Sequence, residues 1–336
     1  MSRTTSSAAE FASLVQAFFC DRLMNQQDVS TRTVAAYRDT FRLLFGFIEK
    51  RHGCTPSDVT LGRLDADLIL EFLRYLENER GNCVRTRNAR LAAIRSFFQY
   101  VATETPEQLA QTNRVLAIPM KRYDRPAVRF LSKDEMDAII RAPDSHTWTG
   151  RRDIAMFTTL YNTGARVSEL TRICLEDLNL TGTPTVALHG KGRKQRTIPL
   201  WKTTGRLLKT WKREIPDTPK TPLFPDSRGT TLSRSGVEYR LRRSVQVATG
   251  RCPSLTGRSI HPHLIRHTTA MHMLHSGVDI AVIALWLGHE SIQTTHMYME
   301  ADLRAKEKAL ACLQPPSVTQ VRFKADDRLL RFLESL

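Results

Sequence analysis

Four helix-length, apolar-periodic segments run from residue 10 to residue 104 and stop at a proline-punctuated basic stretch, which divides the chain in two. The predicted spans are 10–25, 31–52, 65–80 and 84–103, separated by Asn/Gln/Asp, Gly-Cys-Thr-Pro and Arg-Gly-Asn turn signals. In the last of them Leu91, Ile94, Phe98 and Val101 recur at helical spacing and are expected to face a core, while Arg85, Asn88, Arg95 and Gln99 fall on a second, polar face. Pro106, Pro119 and Pro126, set among Lys121, Arg122, Arg125 and Arg129, make residues 105–130 read as a basic interdomain linker that is mostly not helical. A second domain, 131–314, is expected to begin at Leu131-Ser-Lys-Asp-Glu135, where Ser132 and Glu135 have capping-box spacing.

In that domain the pattern predicts helices over 132–141, 151–163, 167–173, 202–214, 233–248, 263–276, 280–287 and 291–299. Two short strands, 185–188 and 196–199, flank a basic turn over 190–195. The expected fold is therefore mainly α with a small antiparallel β-sheet: an N-terminal helical domain over 1–104 and a mixed α/β domain over 131–314. Beyond a further predicted helix at 302–313, residues 315–336 read as a separate C-terminal tail with an apolar end, suited to folding back or to contacting another protomer.

Charge is uneven along the 336 residues, whose formal net charge is +16. Residues 1–104 carry 14 Lys/Arg against 12 Asp/Glu, whereas 105–336 carry 36 against 22, and 182–251 alone carry 16 against 4. Such a field in the second domain fits a polyanion, because neutralising phosphates releases condensed counterions. The polar face with Arg85, Asn88, Arg95 and Gln99 is then expected in a DNA groove, the alternative being an ordinary solvated face. Six cysteines without a CxxC pair read as free thiols of a reducing compartment, and no apolar run or signal-peptide core argues for a membrane. A cytoplasmic, nucleoid-associated protein is expected.

The chemistry-bearing groups are Thr163-Gly-Ala-Arg166-Val-Ser-Glu169, Gly190-Lys191-Gly192, His261-Pro-His263-Leu-Ile-Arg266-His267, Gly288-His289 and Tyr298. They offer cations, imidazoles and one phenol but no acidic metal cage. A phosphodiester under attack gains negative charge, which Arg166 and Arg266 can grip with planar forks. Tyr298 can attack phosphorus and keep the bond as a phosphotyrosyl linkage. His263 is the expected proton carrier, Lys191 the expected donor to the departing oxygen, and His289 a donor to a non-bridging oxygen. His263 and His267 stand four apart, but Leu-Ile-Arg lies between them and Arg266 repels a dication, so no metal and no cofactor are expected. His267, His272 and His275 are expected to cap, pack or line their helix.

The segments Thr163–Leu170, Gly190–Arg196, His263–His267 and Leu287–His289, followed nine residues later by Tyr298, resemble the tyrosine recombinases of the phage integrase family. The resemblance implies Arg166, Lys191, His263, Arg266, His289 and Tyr298 as the catalytic set, Glu169 as an acidic brace behind them, and a helical core-binding domain in the N-terminal third. It implies double-stranded DNA recombination sites as substrate, cleavage through a 3′-phosphotyrosyl intermediate, and a homo-tetramer on paired sites. Arg193 and Lys194 are added as expected DNA contacts on the basic turn. Service to a mobile element is the expected role; chromosome or plasmid dimer resolution, topoisomerase-like relaxation and non-catalytic architectural DNA binding are the alternatives, and accessory proteins stay open.

Overall fold

The computed structural model of the protein describes residues 2–124, 128–190 and 195–289, together with 294, 295, 297 and 298. The chain divides into two compact units, Met1–Arg125 and Pro126–Leu336. The mainly helical character and the small antiparallel sheet agree with the expected fold class.

The first unit contains α1 (Ser2–Ala17), which passes into a π-helical stretch (Phe18–Gln26), then α2 (Thr31–His52), α3 (Ala66–Asn78), α4 (Val84–Glu104) and α5 (Leu109–Leu116). Its helix starts are chemically marked: Ser30 accepts from the Thr33 N–H and Asp65 from the Leu68 N–H, each satisfying one donor that the first turn leaves unpaired. The predicted stripe of α4 is buried, and Phe97 beside it joins Phe18 and Phe41 in edge-on ring contacts at 5.4 and 5.3 Å.

Residues 106–116, expected to belong to a mostly non-helical linker, instead form a 3₁₀ turn (Pro106–Gln108) and α5. Pro106 opens that turn at a position where its missing N–H is not needed, and Thr112, Val115 and Ile118 are buried with the first unit's core. The proline delimits a helix here instead of forbidding one. Beyond α5, Asn88 of α4 binds the Lys121 backbone twice, donating to its carbonyl at 2.8 Å and accepting its N–H at 3.1 Å, while Arg87 donates to the Pro119 carbonyl.

The second unit opens with α6 (Lys133–Arg141), where the predicted capping box is present: Ser132 accepts from the Glu135 N–H and Glu135 from the Ser132 N–H. Helices α7 (Trp148–Thr163) and α8 (Val167–Leu170) follow, then β1 (Leu178–Asn179), β2 (Thr185–His189) and β3 (Gln195–Pro199) in one antiparallel sheet of that order. Val186 pairs with Ile198 and His189 with Gln195, the last pair at the facing ends of β2 and β3. The two-residue β1 is too short to carry an alternating pattern and was not predicted. Next come α9 (Lys202–Lys212), α10 (Arg234–Thr249), α11 (Pro262–His275) and α12 (Ile280–Leu287). Phe157, Leu160, Val186, Leu188, Leu241 and Ile265 meet in the core, where Trp211 donates its indole N–H to the Leu223 carbonyl. Of the helix expected over 291–299, Thr294, Thr295, Met297 and Tyr298 are helical; the helix expected at 302–313 and the 315–336 tail lie outside the described residues. Among the described residues no helix is long and apolar enough to cross a membrane.

Candidate active site

The site is organised by a helix end. The last carbonyls of a helix have no intrahelical donor and carry partial negative charge, so they need donors from elsewhere. At the end of α12 the His289 N–H donates to the Ala284 carbonyl and the Gly288 N–H to the Leu285 carbonyl. The next three carbonyls each receive a different arginine: Trp286 from Arg196 Nε at 2.9 Å, Leu287 from Arg266 Nη2 at 2.7 Å and Gly288 from Arg166 Nη2 at 3.3 Å. Residues from β3, from α11 and from the start of α8 thus converge on one turn.

Two glycines permit this approach. Gly164 ends α7 in the left-handed region, φ 59°, and a Cβ there would lie 2.7 Å from Leu287 Cδ2. Arg266 donates to the Gly164 carbonyl at 2.8 Å, which bridges the ends of α7 and α12. Gly288 has φ 65°, and its Cβ would lie 2.9 Å from Arg196 Nη1. Side chains at either position would push apart the groups the site collects.

Arg166 precedes α8, and Glu169 one turn later accepts both its backbone N–H and its Nη1, each at 2.8 Å. Arg196 forks onto the same carboxylate, Nη1 at 3.0 Å and Nη2 at 2.8 Å. Burial raises the carboxyl pKa, but the hydrogen bonds from Arg196 and from the Arg166 N–H, then the charge of Arg196 and the Arg166 side-chain hydrogen bond, outweigh it and hold Glu169 at about 2. Arg266 is 1% exposed, and burial, then Arg166, push its pKa down to about 10, which still leaves it cationic at neutral pH.

Tyr298 is also 1% exposed, and burial raises its phenol to about 12. Its hydroxyl lies 2.9 Å from His267 Nδ1, and its ring stacks with His289 at 6.3 Å. His267 is held down at about 4 by burial and by His263, so the imidazole is neutral; the Nε2–H tautomer accepts from the phenol at Nδ1, and the Nδ1–H tautomer donates to it. His289 reaches about 4 through burial and Arg266, and its Nδ1 lies 2.7 Å from Thr295 Oγ1. His263 packs edge-on against His267 at 4.3 Å, and burial with Arg266 lowers its pKa.

The structure therefore brings together Arg166, Glu169, His263, Arg266, His289 and Tyr298, while Lys191, Arg193 and Lys194 lie outside the described residues. Two groups went unassigned in the sequence. Arg196 closes the basic motif 190–196 and sits on the strand that leaves it, whereas His267 follows Arg266 directly and was expected only to cap, pack or line its helix. Which histidine reaches the phenol depends on helix rotation and on the approach of Tyr298, neither of which a spacing of three or four residues reveals. His272 does play a packing part, its Nδ1 at 2.7 Å from the Tyr161 hydroxyl and its Nε2 at 2.9 Å from the Leu131 carbonyl. On α4, Arg85 and Gln99 are exposed and Arg95 is half-buried on the same face, but Asn88 is committed to the Lys121 backbone. Among the described residues no group of three or more His, Cys, Asp or Glu side chains is arranged to hold a metal ion.

Two family descriptions match the chain: the phage integrase family over residues 129–304, and the phage integrase N-terminal SAM-like domain over residues 15–105. The protein y4rC of Sinorhizobium fredii, named as an integrase/recombinase, is 48% identical over 98% of this chain and 99% of its own length. The tyrosine recombinase XerD of Pseudomonas putida is 30% identical over 83% of this chain and 90% of its own length. In fold, the chain is similar to the XerH site-specific recombinase solved with its difH substrate, with a TM-score of 0.64 at 18% identity, covering 93% of this chain and 85% of that one. With the family matched over most of its length, the chain belongs to the phage integrase family and is a site-specific tyrosine recombinase.

Proposed function

We propose that the chain cuts and rejoins double-stranded DNA with Tyr298 as nucleophile and Arg166 and Arg266 as the phosphate grip. The observation that carries this is the convergence of both arginines on the end of α12, in the cluster of imidazoles that holds Tyr298. The Tyr298 oxygen attacks phosphorus and the bond to the 5′ oxygen breaks, leaving a 3′-phosphotyrosyl linkage and a free 5′ hydroxyl. The phenol proton passes to the imidazoles, with His263 beside His267 as carrier, and Lys191 protonates the departing oxygen. His289 keeps Nδ1 on Thr295, so Nε2 is the nitrogen that donates to a non-bridging oxygen. Rejoining is the reverse displacement by a 5′ hydroxyl from another strand, and no hydrolysis or external energy source is required.

As it stands, the phenol is closed off. A hydroxyl this buried, hydrogen-bonded to a neutral imidazole, must exchange His267 for the scissile phosphate before it reacts. The proposed working unit is a tetramer on two paired sites. Residues 1–125 serve as the core-binding domain, with Arg85, Arg95 and Gln99 toward the duplex, and Arg193 and Lys194 contact it from the hairpin. Service to a mobile element is proposed on the strength of the 48% identity to a protein named as an integrase/recombinase.

The test is a nicked suicide duplex built on the sequence that the wild-type chain selects from a random duplex pool. Tyr298→Phe removes the hydroxyl and little volume, so covalent adduct should vanish while DNA affinity stays within about twofold, many phosphate contacts remaining. An adduct that persists in the variant overturns the nucleophile assignment. Recombinant junctions from paired sites separate strand exchange from relaxation alone.

A further inference from the structure

Arg196 is the second residue of β3, and its side chain is 14% exposed. Three of its N–H directions are committed: two to the Glu169 oxygens and one to the Trp286 carbonyl. We propose that Arg196 is a positioning residue for Arg166, acting through Glu169 and the end of α12 and tying β3 to the phosphate grip. The inference rests on the assignment of Arg166 to the scissile phosphate and goes beyond it, since Arg196 faces other protein groups.

The geometry carries the argument in two ways. First, Glu169 is 3% exposed and binds Arg166 at both its backbone N–H and its Nη1, so wherever the carboxylate goes Arg166 follows. Arg196 fixes both oxygens of that carboxylate in a planar fork, a restraint that a single ammonium cannot reproduce. Second, the Trp286 carbonyl bound by Arg196 is followed in sequence by the carbonyls that bind Arg266 and Arg166, so a shift of β3 moves the turn on which both phosphate-gripping arginines rest. Gly288 shows how close the contact is, since a Cβ there would stand 3.2 Å or less from three Arg196 atoms.

The consequence is a distinctive pH signature. The charged groups facing the Glu169 carboxylate are Arg166 from α8, Arg196 from β3 and Arg266 from α11, with His263 and His289 in the same cluster. Without Arg196, only the Arg166 hydrogen bonds oppose the effect of burial, so Glu169 takes up a proton at higher pH, and a protonated Glu169 weakens its hold on Arg166. Single-turnover adduct formation on the selected suicide duplex is therefore measured from pH 8 down to about pH 4.5, near an ordinary carboxylate pKa, for wild type, Arg196→Met, Arg196→Lys and Glu169→Gln. At pH 7.5 Arg196→Met is expected to lose ~10-fold or more in rate with DNA affinity nearly unchanged, and Arg196→Lys to recover part of it. The ratio of Arg196→Met to wild-type rate should fall further as pH drops, whereas in the Glu169→Gln background Arg196→Met should add little. Titration of the Glu169 carboxyl by carbon NMR in the folded protein gives a second reading that needs no DNA, and its pKa should rise in Arg196→Met. A rate ratio within twofold and flat with pH, with Arg166→Ala inactive, overturns the positioning role. Wild-type cleavage by Arg166→Ala would instead sink the phosphate-grip assignment, so the two failures are distinguishable.

Discussion

At the scale of single residues, the site is a study in charge held out of water. His267 and His289 keep imidazoles neutral down to about 4, against about 6.5 for the free side chain, because burial disfavours the cation and neighbouring positive groups add to it. Both folded pKa values are depressed, so the unfolded chain binds protons first; the stabilisation is complete above about pH 6.5 and is lost as pH falls toward 4. Glu169 extends the loss at lower pH, from its ordinary value of 4.5 down to about 2. That shift is worth roughly 3 kcal/mol for a carboxylate this buried. Urea unfolding between pH 7 and pH 4 should show falling stability, and His267→Asn should flatten the slope. An unchanged slope in the variant would show that the imidazole does not titrate with unfolding. His263 and His267 both lie within one helical turn of Arg266, yet the hydrogen bond to the phenol is made by His267.

Elements decide what those residues can reach. Helix α12 has a C-terminus whose carbonyl demand is met by three arginines from separate segments, so a generic property of helix ends becomes the frame of the site. The two ends of α4 and α5 show a related economy: Asn88 pairs with the Lys121 backbone as a strand would, fixing the chain that leaves the first unit's core. Asn88→Ala should cost roughly 1 kcal/mol in unfolding free energy and speed amide exchange at Lys121, because two hydrogen bonds to exposed backbone are lost. Exchange at Lys121 that stays as slow as in wild type would remove Asn88 from this role. By comparison, Arg85→Ala should leave stability within about 0.5 kcal/mol and weaken DNA binding across all sequences alike.

Across the whole molecule, the formal charge of +16 and its concentration in residues 105–336 predict DNA association that falls steeply and linearly in a plot of log affinity against log salt. Fluorescence anisotropy between 50 and 200 mM salt, a range over which several phosphate contacts cost about a thousandfold, measures it; a flat response would contradict phosphate neutralisation as the main source of affinity. Much of this architecture was legible beforehand. Helix periodicity located α2, α3, α4 and α9 to α12 to within a few residues, and Arg166, Arg266, His289 and Tyr298, singled out by residue type and order, are groups that the fold brings together. Residue types and local spacing determined these things, because periodicity, capping and the chemistry of a side chain are properties of short segments. Tertiary structure alone decided that Pro106–Leu116 packs as part of the first unit, that Asn88 is taken by backbone, that His267 meets Tyr298, and that Arg196 shares Glu169 with Arg166. Each of these is a contact between segments distant in sequence, set by which core positions are filled and which helix carbonyls remain unpaired, and no local pattern encodes that.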